Sequence, residues 1–77
     1  MSALHLVFSA QGCDRVRSLS GHDDSIVLMG DAVYESFDAA YAIDEDVTAR
    51  GIKRRNQISY AELVGLSVKH DKVVSWP

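Results

Sequence analysis

Cys13 is the only thiol of this 77-residue chain and its most plausible nucleophile. It lies in the segment Gly12-Cys13-Asp14-Arg15, where the sequence predicts the start of a short helix. A helix N-terminus and nearby cations such as Arg17 favour the reactive thiolate, whereas Asp14 opposes it. An accessible thiolate here could accept a sulfur atom and hand it on. The alternative interpretation is an incidental small residue in a loop, because the sequence pairs this thiol with no base.

Carboxylates follow the second and third predicted strands. Asp31 comes after the second strand, and Asp44, Glu45 and Asp46 come after the third. Because α/β folds place their sites at the carboxyl ends of strands, these acids suggest a magnesium or phosphoryl site. However, the sequence contains no glycine-rich phosphate loop. Helix capping explains the acids better, with Asp44 as the predicted N-cap and the next two acids in the first turn.

The three histidines do not form a metal-binding motif with the thiol. His5, His22 and His70 are far apart in the chain, and no pair has the close spacing typical of zinc ligands. His5, within a predicted strand, is expected to be a hydrogen-bonded core or interface residue. His70 is expected to neutralise a helix end, and His22 to lie in a loop. The sequence therefore predicts neither a metal site nor a cofactor.

The elements that position these residues alternate between strands and helices. We expect a weakly amphipathic helix within residues 9–24, a helical turn that Asp31 caps and that runs through Ser36, and a helix that ends at Arg50 with Gly51 as its C′ residue. Apolar runs or edge-strand patterns predict strands at 3–8, 25–29, 39–43, within 52–58, and at 73–76. This alternation predicts an α/β domain with a mostly parallel sheet, although the second crossover is short.

The last helix has the clearest boundaries. Ser59 and Glu62 form an S-x-x-E capping box, in which each side chain accepts from the other residue's amide. Ile58 precedes the cap and faces Leu63 in the manner of a hydrophobic staple. The helix is predicted to span Tyr60–Lys69, where apolar residues recur at helical spacing.

Bulk properties indicate one small globular domain over residues 1–77. Hydrophobic residues make up 47% and charged residues 25% of the chain, which argues against disorder. The net charge of −3 argues against a dedicated nucleic-acid surface, and Lys53-Arg54-Arg55 is expected to be a solvated turn rather than an RNA or partner contact. We expect no membrane span and no signal peptide. A single cysteine makes a reducing cytoplasm the default location.

Two motifs resemble the TusB/DsrH family of sulfur-relay proteins. The closing segment LSVKHDKVVSW is similar to the family's final helix, which reads roughly L-T-V-K-H and leads to a strand that ends in Trp. The family's E-D-x-x-A-R-G helix corresponds here to Glu45, Asp46, Ala49, Arg50 and Gly51. A weaker match is Asp31-Ala32-Val33-Tyr34, where family members carry D-G-[VI]-Y and this chain has Ala32 in place of the glycine.

The resemblance implies a three-layer α/β/α domain of the DsrEFH-like, or flavodoxin-like, type with about five short strands. It also implies a non-catalytic subunit that joins TusC/DsrF-like and TusD/DsrE-like proteins in a heterohexamer. Such complexes pass persulfide sulfur to a TusE/DsrC-like acceptor, and their persulfide cysteine belongs to the TusD/DsrE-like partner. The leading expectation is 2-thiouridine formation at the tRNA wobble position, and the alternative branch is dissimilatory sulfur oxidation.

Other functions stay open at the level of sequence. Cys13 could carry a persulfide in a small sulfurtransferase, or the chain could be a self-associating module without a relay role. Trp76 could complete the core or anchor an interface, since Trp and Tyr are enriched in interfaces. The expected interface residues are Tyr34, Glu45, Asp46, Arg50 and Trp76.

Overall fold

The structure, a computed structural model, describes residues 2–37 and 39–77. Strands and helices alternate along the chain, as the sequence predicts. The strands are β1 (Ala3–Val7), β2 (Ser25–Leu28), β3 (Tyr41–Ile43), β4 (Gln57–Ile58) and β5 (Lys72–Trp76). The α-helices are α1 (Ala10–Leu19), α2 (Asp44–Ala49) and α3 (Tyr60–Lys69), and a 3-10 helix spans Gly30–Tyr34.

The five strands form one sheet in the order β4-β3-β2-β1-β5. Every pair of neighbouring strands is parallel, which confirms the predicted α/β class and makes the sheet more uniform than expected. The fourth strand is confirmed as a short edge strand, because β4 contains two residues and pairs only with β3. The expectation of a short second crossover is wrong, because β3 begins at Tyr41 and the connection from β2 spans residues 29–40, long enough for a parallel crossover. Its only regular element among the described residues is the 3-10 helix.

Helices cover both faces of the sheet and give three layers. The steps from β1 to β4 all run in one direction across the sheet, so right-handed crossovers place α1, the 3-10 helix and α2 on the same face. The core on this face includes Val16, Val33 and Val47. The return from β4 to β5 runs the other way and places α3 on the second face, where Leu63 and Leu66 pack.

Helix ends differ from the sequence prediction where tertiary contacts intervene. The Ser59–Glu62 capping box is confirmed, with both of its hydrogen bonds at 3.1 Å. The prediction that Asp44 is the N-cap of α2 is wrong, since Ile43 takes that position without a side-chain bond. Asp44 Oδ1 instead accepts a 3.0 Å bond from Gln57 Nε2, which ties α2 to β4.

Asp31 likewise does not cap a helix. The 3-10 helix begins at Gly30 with Met29 as its N-cap, so Asp31 lies inside its first turn. Gly51 has a φ of +67°, as expected for the C′ residue after α2. No helix within residues 2–37 and 39–77 is long and apolar enough to cross a membrane.

Candidate functional site

Gly30 and Asp46 join the segments that follow β2 and β3. Gly30 has a φ of +55°, a left-handed conformation that glycine adopts without the steric cost of a Cβ atom. Its N–H donates to Asp46 Oδ2 over 2.9 Å. Because Asp46 lies in the first turn of α2, this bond fixes the start of the 3-10 helix against the start of α2.

Arg50 connects the same two segments through a second set of bonds. Its Nε and Nη2 atoms donate to Asp31 Oδ1 over 3.2 and 2.9 Å. Its Nη1 donates to the Asp46 carbonyl over 3.2 Å and lies 3.8 Å from the Asp46 carboxylate. The Arg50 side chain is 25% exposed and that of Asp31 is 83% exposed. The acid–arginine network (Gly30, Asp31, Asp46 and Arg50) therefore presents one accessible carboxylate to solvent.

Two more of the predicted interface residues lie on the elements that carry this network. Tyr34 closes the 3-10 helix and is 55% exposed, and Glu45 is exposed in the first turn of α2. The 3-10 helix and α2 contact each other. Desolvation and the charges of Asp46 and Glu45 raise the pKa of Tyr60, the first residue of α3. Tyr34, Glu45, Asp46 and Arg50 therefore lie on two adjoining elements.

Trp76 lies apart from these residues and binds the buried His5. The Trp76 ring packs against the core on the α1 face, and its Nε1 donates to His5 Nδ1 over 2.9 Å. Because indole nitrogen can only donate, His5 Nδ1 must be the acceptor and Nε2 must carry the proton. His5 Nε2 donates to Asp24 Oδ2 over 2.7 Å. The predicted hydrogen-bonded core histidine is confirmed, and Trp76 contributes to the core.

Asp24 is a site residue that the sequence analysis missed. Its carboxylate accepts bonds from His5 and from the backbone amides of Gly21 and Ala3. These bonds hold the Asp24 pKa well below its ordinary value, with the His5 bond contributing most. The only local signal is the spacing from Gly21 to Asp24, which is typical of a turn closed by an acidic side chain.

Cys13 is fully buried in the core beneath α1. Its exposed fraction is 0%, and it belongs to the cluster that includes Val7 and Leu28. Arg17 Nη2 lies 3.8 Å from the Cys13 Sγ, and the same nitrogen donates to the Ser36 carbonyl. The cation predicted to favour the thiolate is therefore present. However, the surrounding side chains exclude a sulfur donor from the thiol in this conformation.

His70 does more than neutralise a helix end. It is the C-cap of α3, and its Nδ1 and Nε2 atoms lie 3.0 and 2.8 Å from the hydroxyl oxygens of Ser2 and Ser25. His70 thus connects the end of α3 to the starts of β1 and β2. No local sequence pattern indicates this bridge, because the three residues are distant in the chain.

The basic run lies in the turn before β4, as expected. Lys53 and Arg55 are exposed, and the Arg54 amide donates to Gln57 Oε1 over 2.9 Å. Within residues 2–37 and 39–77, no group of three or more His, Cys, Asp or Glu side chains is arranged to hold a metal ion.

The structure is a small parallel α/β domain in which Cys13 is buried in the core and Arg50 joins the segments after β2 and β3. The sequence model of the DsrH like protein family matches residues 7–73. The chain therefore belongs to the DsrH like family, which confirms the resemblance found in the sequence and implies a subunit of a sulfur relay. The matched range contains Cys13 and the acid–arginine network but not Trp76. No curated protein matches the sequence.

Proposed function

We propose that this chain is a non-catalytic subunit of a TusBCD/DsrEFH-type complex that passes persulfide sulfur to a TusE/DsrC-like acceptor. The observation that carries the proposal is the complete burial of Cys13, the only thiol of the chain. Sulfur transfer requires a thiolate that the incoming sulfur can reach. A member of a relay family with no accessible thiol contributes surface to the complex, and a partner supplies the reactive cysteine.

The partners in this proposal are TusC/DsrF-like and TusD/DsrE-like chains in a cytoplasmic heterohexamer. Tyr34, Glu45 and the acid–arginine network form the expected docking surface. The exposed Asp31 carboxylate would bind a cationic side chain of a partner, and Tyr34 would supply apolar contact area. Trp76 is proposed as a second contact, beside its role in the core. The transferred sulfur would serve 2-thiouridine formation at the tRNA wobble position.

Co-purification tests the assembly directly. The chain is co-expressed with TusC- and TusD-like proteins of the same organism, and the complex is isolated through a tag on one partner. Tyr34→Ala should reduce the amount of this chain that co-purifies. Leu19→Ala is the matched control, because Leu19 is also an exposed apolar residue (68%) but lies on α1. A chain that stays monomeric in the presence of these partners would refute the proposal.

A transfer assay separates this role from that of a sulfur carrier. The reconstituted complex receives sulfur from a cysteine desulfurase, and sulfur on the TusE/DsrC-like acceptor is measured by mass spectrometry. Cys13→Ala should leave transfer unchanged. A sulfur adduct on Cys13 of the native protein, together with loss of transfer in the variant, would support the sulfurtransferase alternative. Adjacent dissimilatory sulfite reductase genes would favour the sulfur-oxidation branch.

A further inference from the structure

Helix α3 has an apolar outer side as well as an apolar inner side. Leu63 and Leu66 pack on the second core, yet none of the ten residues of α3, all of which the structure describes, is buried. Val64 is 62% exposed and Val68 is 80% exposed. Large aliphatic side chains that remain this exposed on neighbouring turns of one helix are typical of a contact surface.

The outer residues of α3 recur at the spacing of a helix–helix contact. Ala61, Val64, Gly65 and Val68 are all exposed and form the outer stripe of α3. Intervals of three and four residues place them on the side opposite Leu63 and Leu66. A Cβ atom on Gly65 would meet no heavy atom of the described residues outside its own helix within 4 Å, so another backbone could approach closely at this point.

Two opposite charges flank the outer stripe on the same side of the helix. Glu62 and Lys69 border a groove of about 320 Å³, to which Gly65 and Tyr41 also contribute. Within the described chain neither charge forms an ion pair. They lie seven residues apart, roughly 10 Å along the helix, too far to pair with each other.

The position of these charges favours one particular occupant, a second copy of the same helix. When two copies of α3 pack antiparallel about a two-fold axis, residues on one side of the first helix meet residues on the same side of the second. Glu62 then faces Lys69 of the partner copy, and the symmetry forms this pair twice. In a parallel arrangement Glu62 would instead face the side that carries Tyr60 and Ser67, and both charges would remain unpaired.

We propose that two copies of this chain associate through antiparallel α3 helices, with their outer stripes in contact and two intermolecular Glu62–Lys69 pairs. A standard interface buries about 800 Å² per partner, and a ten-residue helix offers less, so the dimer should be weak, with a dissociation constant in the micromolar range. This inference goes beyond the proposed relay function and does not rest on it.

Sedimentation equilibrium over a wide range of protein concentration tests the dimer. Val64→Gln with Val68→Gln should raise the dissociation constant at least tenfold, because four valines leave the interface. Leu19→Gln removes an exposed aliphatic side chain from α1 and should leave the constant unchanged. Circular dichroism confirms that each variant is folded. A native chain that is monomeric at all concentrations overturns the proposal, and so does an equal effect of the control.

A double-mutant cycle tests the orientation. Glu62→Gln keeps a residue that can complete the capping box, and Lys69→Gln removes the opposite charge. Each change alone should weaken the dimer about threefold, and the double variant should be no weaker than either single variant. Fully additive effects would overturn the antiparallel pairing. If a TusD-like partner but no second copy binds the outer stripe, the dimer is refuted while the relay function stands.

Discussion

The packing of α1 against the end of β5 can be tested with the substitution Gly12→Ala, and Gly65→Ala in α3 serves as the reference. Both glycines lie inside helices, Gly12 in α1 and Gly65 in α3. Alanine is favoured over glycine in a helix interior by about 0.8–1.0 kcal/mol. Gly65 lies in the middle of α3 and gains this term in full, whereas Gly12 lies in the first turn of α1 and gains at most as much. The two Gly→Ala variants differ mainly in what the new methyl group contacts.

At Gly12 the added Cβ atom would lie 3.0 Å from both the Cβ and the carbonyl oxygen of Trp76. That carbonyl accepts a 3.0 Å bond from the Phe8 amide, and β5 is paired with β1 along its whole length. The backbone of Trp76 therefore cannot move away without stretching these bonds. Overpacking costs about 1–3 kcal/mol, which exceeds the helix term. We expect Gly12→Ala to destabilise the fold by about 1 kcal/mol.

At Gly65 the added methyl group meets no atom of the described residues within 4 Å apart from its own turns of helix, so only the helix term remains. Gly65→Ala should stabilise the monomer by about 0.5–1 kcal/mol, or raise Tm by about 4 °C. Urea unfolding followed by circular dichroism measures both variants at a concentration where the native chain is monomeric. A Gly12→Ala variant as stable as the Gly65→Ala variant would show that β5 does not pack against α1 as described.

Three further predictions concern Cys13, Asp24 and Arg50. Cys13 should react with a thiol reagent far more slowly in the native state than in urea, because it is fully buried; equal rates would contradict its position in the core. Asp24 has a lowered pKa, so its contribution to stability is complete above its ordinary value of 3.8 and is lost as the pH falls below it. In Asp24→Asn the free energy of unfolding should therefore fall less steeply as the pH drops below 3.8 than it does in the native chain. An unchanged pH dependence would contradict the His5 contact. Arg50→Ala should cost more stability than Asp31→Asn, which removes one exposed pair worth up to about 1 kcal/mol; equal losses in urea unfolding would show that the Arg50 bonds to Asp46 contribute nothing.

The features predicted correctly are those that depend on near neighbours in the chain. The Ser59–Glu62 capping box involves residues three apart, and Gly51 ends α2 through its own backbone conformation. The parallel sheet follows from the alternation of elements, and the short polar segment before Ile58 gives the edge strand β4. These predictions succeed because local propensities and distant contacts favour the same structure.

The sequence analysis was wrong at Asp44, and elsewhere it was incomplete for residues whose partners are distant in the chain. Asp44 fits a helix cap by type and position, but the amide of Gln57 offers its carboxylate another partner. His70 resembles a simple end-of-helix cation until β1 and β2 bring Ser2 and Ser25 to it. The candidate interface was predicted from motifs as separate residues, and only the 3-10 helix and α2 together show how Arg50 joins Asp31 to Asp46.

The sequence by itself determined the α/β class, the ends of α3 and membership of the DsrH like family, since periodicity, capping residues and motifs are properties of short segments. Only the tertiary structure decided the chemistry available to Cys13. Its place in a helix that carries arginines favours a thiolate, but its access to solvent depends on how closely α1 packs on β1 and β2. Because burial arises from the sum of contacts with distant segments, no local pattern around Cys13 could reveal it.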